Sequence, residues 1–176
     1  MSLLHIESLG EIMRFDEAYS GNVFIKSHPN YEESKAVLYG MPMDWTVSYR
    51  PGSRFGPARI REVSIGLEEY SLYLDRELGD VKFFDAGDIP LPFGNPEKSL
   101  AEIKKFVRKV LADDKIPVGL GGEHLVSLPV MEAVYEKFPD LAVIHFDAHT
   151  DLRTDYEGEE YSHATPIRKF ADIVGP

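Results

Sequence analysis

Residues 96–120 read PEKSLAEIKKFVRKVLADDKIPVGL, and the change of period inside this stretch decides the fold. From Pro96 to Leu111 the apolar residues Leu100, Ile103, Phe106, Val107, Val110 and Leu111 recur three and four apart, with Lys and Glu on the opposite side. That spacing predicts an amphipathic helix. The next apolar run, Ile116 to Leu120, is short, suits a buried strand, and ends in the glycines of Gly119-Leu-Gly-Gly122. A second helix is predicted directly after it, from about Leu125 to Phe138. Working outward, runs of the same strand type occur at Ala36–Tyr39, Val81–Phe84 and Leu141–Phe146, each followed by a turn rich in Gly or Asp. Strands joined by crossovers of helical length pair in parallel with right-handed connections, so the expected class is an α/β sandwich. Ligands of open parallel sheets bind at the carboxyl ends of strands, and the histidine motifs considered below follow predicted strands.

Composition narrows the function. Acidic residues outnumber basic ones by 30 to 19, giving a formal charge of −11. No Lys/Arg stripe is present, so nucleic acid and anionic membrane surfaces are poor partners. Cysteine is absent. A metal site would therefore use oxygen and imidazole donors, which favour hard or borderline ions. No apolar run approaches the length of a membrane span, and Met1–Glu11 lacks the pattern of a secretory signal, so a cytoplasmic protein is expected. Residues 1–12 match nothing that follows and read as a leader segment; residues 13–176 read as one unit.

Three motifs carry chemistry. In Val143-Ile-His-Phe-Asp-Ala-His-Thr-Asp151, an extended backbone sends Asp147, His149 and Asp151 to one side of a strand end. Two carboxylates around an imidazole make a nest for divalent cations, and bridging carboxylates hold two metals ~3.5–4 Å apart. The same short pattern fits a solvated polar loop equally well. In Gly119-Leu-Gly-Gly-Glu-His124 the glycines permit a tight turn and close approach, and His124 reads as a ligand or as a satisfied turn residue. This turn matches neither a dinucleotide fingerprint nor a P-loop. His163, in Ser162-His163-Ala-Thr, reads as a proton carrier or as a surface loop histidine.

Gly-Gly-Glu-His124, then Asp147-Ala-His-Thr-Asp151, then Ser162-His163, in this order, resemble the metal and proton-transfer motifs of the arginase/agmatinase (ureohydrolase) family. Gly40-Met-Pro-Met-Asp44 and Arg50-Pro-Gly-Ser-Arg-Phe-Gly-Pro-Ala-Arg-Ile-Arg61 resemble its agmatinase branch, and the likeness covers nearly everything from Met13 onward. It implies a three-layer α/β/α sandwich with a mostly parallel sheet, of which only the N-terminal half is present. It implies two Mn2+ ions, with His124 on one, His149 on the other, Asp147 and Asp151 shared, and His163 as the proton shuttle. The implied reaction is hydrolysis of agmatine, a small cationic guanidino substrate, to putrescine and urea by a hydroxide bridging the ions, in a homo-oligomer. Two other readings stay open: a relative acting on another guanidino or formimino compound (arginine, guanidinobutyrate, formiminoglutamate), and a catalytically silent metal-binding homologue. Arg54, Arg59 and Arg61 are expected to be structural or subunit-contact groups. Glu123 stands where many relatives have Asp, and Ala164 where Gly is common. The family's later Asp-x-Asp ligands and its substrate-binding Glu have no counterpart here. The complete protein is therefore expected to continue beyond Pro176, and this chain alone is expected to be a poor catalyst.

Overall fold

The computed structural model describes residues 22–175, so the expectation of a leader at residues 1–12 lies outside the described residues. The order of elements is β1 (Ala36–Met41), α1 (Gly56–Ser64), β2 (Tyr70–Ser71), β3 (Arg76–Glu77), β4 (Phe83–Asp88), α2 (Pro96–Ala112), β5 (Ile116–Gly121), α3 (Ser127–Lys137) and α4 (Pro166–Val174). The main sheet has the order β4-β1-β5, with both pairs parallel. β2 and β3 form a separate antiparallel ribbon.

Three layers follow from the alternation of side chains along β1. Tyr39 points to one face, where its ring lies 4.9 Å from that of Phe106 in α2. Gly40 points to the other, where an added Cβ would come within 2.8 Å of Pro57 Cβ in α1. α1 and α2 therefore cover opposite faces of the sheet. The chain leaves β1 to reach β4, then crosses back over β1 to reach β5, and with right-handed crossovers this reversal places the intervening helices on opposite faces. The reversal point is the carboxyl end of β1, where open α/β sheets hold their ligands.

Local chemistry explains the elements. Asn95 caps α2 by accepting the Lys98 N–H at 2.9 Å, and Pro96 occupies its first position. Leu100, Ile103, Phe106, Val107, Val110 and Leu111 are buried, as their spacing predicts. α3 lies along α2, tied by Lys104 to Glu132 at 2.6 Å and Arg108 to Glu136 at 2.7 Å. α4 docks through Phe170, whose ring meets Tyr135 of α3 edge-on at 5.9 Å.

Beneath α1 lies a buried ion cluster. Arg61 donates to both oxygens of Asp85, from Nε at 3.0 and 2.8 Å and from Nη2 at 2.9 Å, and to Asp88 Oδ1 at 2.5 Å. Arg61 and Asp85 are 4% and 3% exposed, so neither charge has water to fall back on. Arg54 pairs with the buried Asp44 at 2.8 Å, while Arg59 is exposed and pairs with Glu62. The structural reading of these arginines holds for Arg54 and Arg61.

Three strand expectations need correction. The run at Ile116–Leu120 lies in β5 at the sheet edge, with Ile116 62% and Val118 42% exposed, and so is not a buried strand among the described residues. The run at Val81–Phe84 becomes a strand at Phe83–Asp88, because Asp85 and Asp88 belong to the ladder and face Arg61 rather than a turn. Leu141–Phe146 is not a strand among the described residues. Leu141 packs against the core, but Val143, Ile144 and Phe146 are 43%, 79% and 93% exposed. An apolar run becomes a strand only when a neighbour supplies a ladder and a layer covers its face, and this run, though β5 forms an edge of the sheet, has neither.

Candidate metal centre

The turn after β5 is fixed by backbone, not side chains. Gly122 N–H donates to Met41 O at 3.0 Å and Glu123 N–H to Met43 O at 2.8 Å, which zips this turn to the segment leaving β1. An added Cβ on Gly122 would sit 2.0 Å from Met43 O, so only glycine fits. The turn delivers His124 at the start of a 3-10 turn, Ser127 Oγ donating to its carbonyl oxygen at 2.8 Å.

Across from it, the segment after residue 146 bends back. Asp151 adopts φ 47°, a left-handed conformation uncommon for a residue with a Cβ. Its carbonyl accepts the Arg168 N–H at the start of α4 at 3.1 Å, and its carboxylate oxygen Oδ2 meets His124 Nδ1 in a short hydrogen bond. Strain of this kind gathers where a side chain must be aimed at a site.

Asp147 sits between three imidazoles. Its Oδ2 lies 3.5 Å from His124 Nδ1 and 3.3 Å from His145 Nε2, and its Oδ1 lies 3.7 Å from His149 Nδ1. One carboxylate thus turns a different oxygen to His124 and to His149. The His149 backbone N–H donates to Oδ1 at 2.9 Å and is the main reason the Asp147 carboxyl is held below its ordinary range; burial opposes it next, and the hydrogen bond from His145 and the nearby imidazoles add to the lowering. The His145 ring stacks on His124 at 5.1 Å, and ligand atoms of His124, His145 and Asp147 all lie within 4.8 Å of one another. The His149 ring points outward, with its side chain 82% exposed.

The donor set is imidazole and carboxylate without sulfur, the chemistry of hard and borderline divalent cations, and its spacing fits one. Of the residues singled out by sequence, His124, Asp147 and Asp151 converge, His149 stands at the rim beside Asp147, and His163 belongs to a neighbouring network. That network joins Thr46 to Glu123 and His163. Thr46 N–H donates to Glu123 Oε1 at 2.9 Å, and Thr46 Oγ1 donates to Oε2 in a short bond. His163 N–H donates to Thr46 Oγ1 at 2.9 Å, and His163 Nδ1 lies 2.6 Å from Thr46 O. Glu123 is 5% exposed, and burial pushes its carboxyl up despite the bonds from Thr46. Burial also pushes Asp44 up, but Arg54 and the backbone N–H groups of Gly52 and Arg54 outweigh it and hold that carboxyl below its usual range. Beside Thr46 opens a cavity of about 660 Å³, lined among others by Trp45, Tyr156, Glu157, Glu159 and Ser162.

His145 escaped the sequence reading although a signal existed, since the alternation that groups Asp147 and His149 reaches it one step earlier. Thr46 carried no signal: it is 77 residues from Glu123 and 117 from His163.

Residues 34–175 match the Arginase family. The chain belongs to that family. Its arginase-family relatives include the agmatinase of Bacillus cereus, 74% identical over 164 residues, which covers 93% of this chain and 57% of that protein. The agmatine ureohydrolase of Thermoplasma volcanium superposes with a TM-score of 0.82 at 33% identity, over 89% of this chain and 52% of that one. A Trypanosoma cruzi formiminoglutamase crystallised with Mn2+ gives a TM-score of 0.74 at 29% identity, over 83% of this chain and 50% of that one. The chain thus spans a little over half the length of the relatives it matches.

Proposed function

We propose that the protein carrying this chain hydrolyses agmatine to putrescine and urea with two manganese ions, a step of polyamine biosynthesis. The observation that carries the reading is Asp147, whose two oxygens face two different histidines, with Asp151 closing on His124. His124 would hold one ion and His149 the other, with Asp147 and Asp151 shared. Bound there, the ions supply Lewis-acid activation of water near neutral pH, which a poor electrophile such as a guanidinium requires.

The rest falls to the chain's own side chains. The exposed His149 ring has its nitrogens open to a ligand, whereas His145, stacked on His124 and bonded to Asp147, orients those two groups. His163 carries a proton to the departing amine. The cavity beside Thr46 has the size of a small-molecule site; Arg54 already lies 4.8 Å over its Trp45 ring, so the carboxylates of Glu157 and Glu159 are the lining groups that favour a cationic aliphatic chain. Support for agmatine comes from the agmatinase of Bacillus cereus, and for manganese from the Trypanosoma cruzi formiminoglutamase crystallised with Mn2+ together with the donor set. A cytoplasmic homo-oligomer belongs to the same proposal.

The test is release of urea from agmatine, arginine and guanidinobutyrate, and of formamide from formiminoglutamate, by the full-length protein with Mn2+. Agmatine turns over fastest. Equal or better turnover of another substrate sinks the assignment, and no urea or formamide from any of them favours a silent homologue.

A further inference from the structure

The network around Thr46 constrains the one imidazole to which the proposed reaction assigns a moving proton. A backbone carbonyl oxygen only accepts, so the 2.6 Å contact between His163 Nδ1 and Thr46 O requires the hydrogen on Nδ1. Ser162 Oγ, 3.3 Å from the same nitrogen, is compatible with sharing that hydrogen. No hydrogen bond to His163 Nε2 is made among the described residues. The carbonyl of Thr46 is itself held from both sides. Thr46 N–H and Oγ1 donate to the two oxygens of the Glu123 carboxylate, and Oγ1 accepts the His163 backbone N–H, so the hydroxyl joins the two residues through its one hydrogen and one lone pair. Glu123 is in turn fixed by its own backbone bond to Met43 O at 2.8 Å, and the Tyr156 ring meets His163 edge-on at 5.1 Å.

We propose that Thr46, anchored by Glu123, is a positioning residue that locks His163 in the tautomer with hydrogen on Nδ1 and reserves Nε2 as the nitrogen that exchanges protons. The inference rests on His163 being the proton carrier of the proposed reaction. In that role imidazolium gives its Nε2 hydrogen to the leaving amine and returns to the neutral Nδ1–H form, which is the form Thr46 O already binds, so no ring rotation separates one turnover from the next. Glu123 is long enough to span to both the N–H and the hydroxyl of Thr46.

The experiment reads the tautomer directly, from 15N shifts of histidine-labelled full-length protein loaded with diamagnetic Mg2+ at about pH 8.5, where an ordinary imidazole is neutral. His163 is assigned by its loss in His163→Gln. The parent shows the Nδ1–H form in about tenfold excess, Thr46→Val, which keeps the carbonyl but loses the hydroxyl that seats it, lowers that excess severalfold, and Thr46→Ser, which keeps the hydroxyl, restores the parent ratio. With Mn2+ and agmatine, kcat of Thr46→Val falls about tenfold with KM within about twofold, and Thr46→Ser recovers it. A parent dominated by the Nε2–H form, or a Thr46→Val ratio equal to the parent's, overturns the inference. These shifts need no turnover, so a protein that shows the expected tautomers yet releases no urea from agmatine refutes the proposed reaction and leaves the lock standing.

Discussion

Replacing Gly122 by alanine tests whether one backbone contact assembles the whole site. The added Cβ would stand 2.0 Å from Met43 O, 2.7 Å from Met43 N and 2.9 Å from Met43 C. All three are backbone atoms, so no rotamer relieves the clash. To reach an ordinary separation the two segments must part by more than ~1 Å. That movement breaks the bonds Gly122 N–H to Met41 O and Glu123 N–H to Met43 O. Two net hydrogen bonds at about 1 kcal/mol each, added to an overpacking cost of about 1–3 kcal/mol, give a loss of about 3–5 kcal/mol. In urea this is a fall in midpoint of roughly 2 M. The same opening separates His124 from Asp151 and Glu123 from Thr46, so Mn2+ affinity measured by calorimetry falls at least about tenfold. Gly79→Ala is the control, because nothing lies within 4 Å of its added Cβ, and its stability stays within about 0.5 kcal/mol of the parent. A Gly122→Ala protein within about 0.5 kcal/mol of the parent refutes the claim that this contact joins the two strand ends.

Further outcomes follow from the same geometry. Arg61→Met strands the buried Asp85 carboxylate and costs about 3–5 kcal/mol, seen in circular dichroism as a melting point roughly 10 °C lower; adding Asp85→Leu recovers part of it, and no recovery removes the uncompensated charge as the cause. Asp151→Ala and His149→Ala each lower Mn2+ affinity by about 100-fold or more in titration calorimetry, whereas His145→Ala lowers it by about tenfold; the reverse ranking of the two histidines makes His145 the ligand. Glu136 is held down to about 2, first by the Arg108 guanidinium and next by Lys104. Its folded value lies below the ordinary 4.5, so its contribution is full above that value and is lost as pH falls toward about 2. With the Glu136 side chain 42% exposed, solvent screening keeps the effect within about 0.5–1 kcal/mol, so urea midpoints of parent and Arg108→Ala differ modestly near neutral pH and converge in acid.

The sequence by itself determined the parts whose physics is local. The apolar spacing of Leu100, Ile103, Phe106, Val107 and Val110 set the buried face of α2, because helical periodicity is written in the chain. The acids and imidazoles from Asp147 to Asp151 and the glycines before His124 marked the two segments of the site, because residue type and a missing Cβ are local properties. No strand leads directly into Asp147 among the described residues, however, and the His149 ring points outward. Tertiary structure decided everything that depends on distant partners. Asp85 and Asp88 read as turn residues until Arg61 arrives from α1 to neutralise them inside the sheet. Leu141–Phe146 has the composition of a strand and is not one, since a ladder and a covering layer are supplied by neighbours and not by the run itself. Thr46 is unremarkable in the chain and becomes the hinge between Glu123 and His163 only when the ends of β1 and β5 meet, because a hydrogen bond is specified by where its partners lie in space.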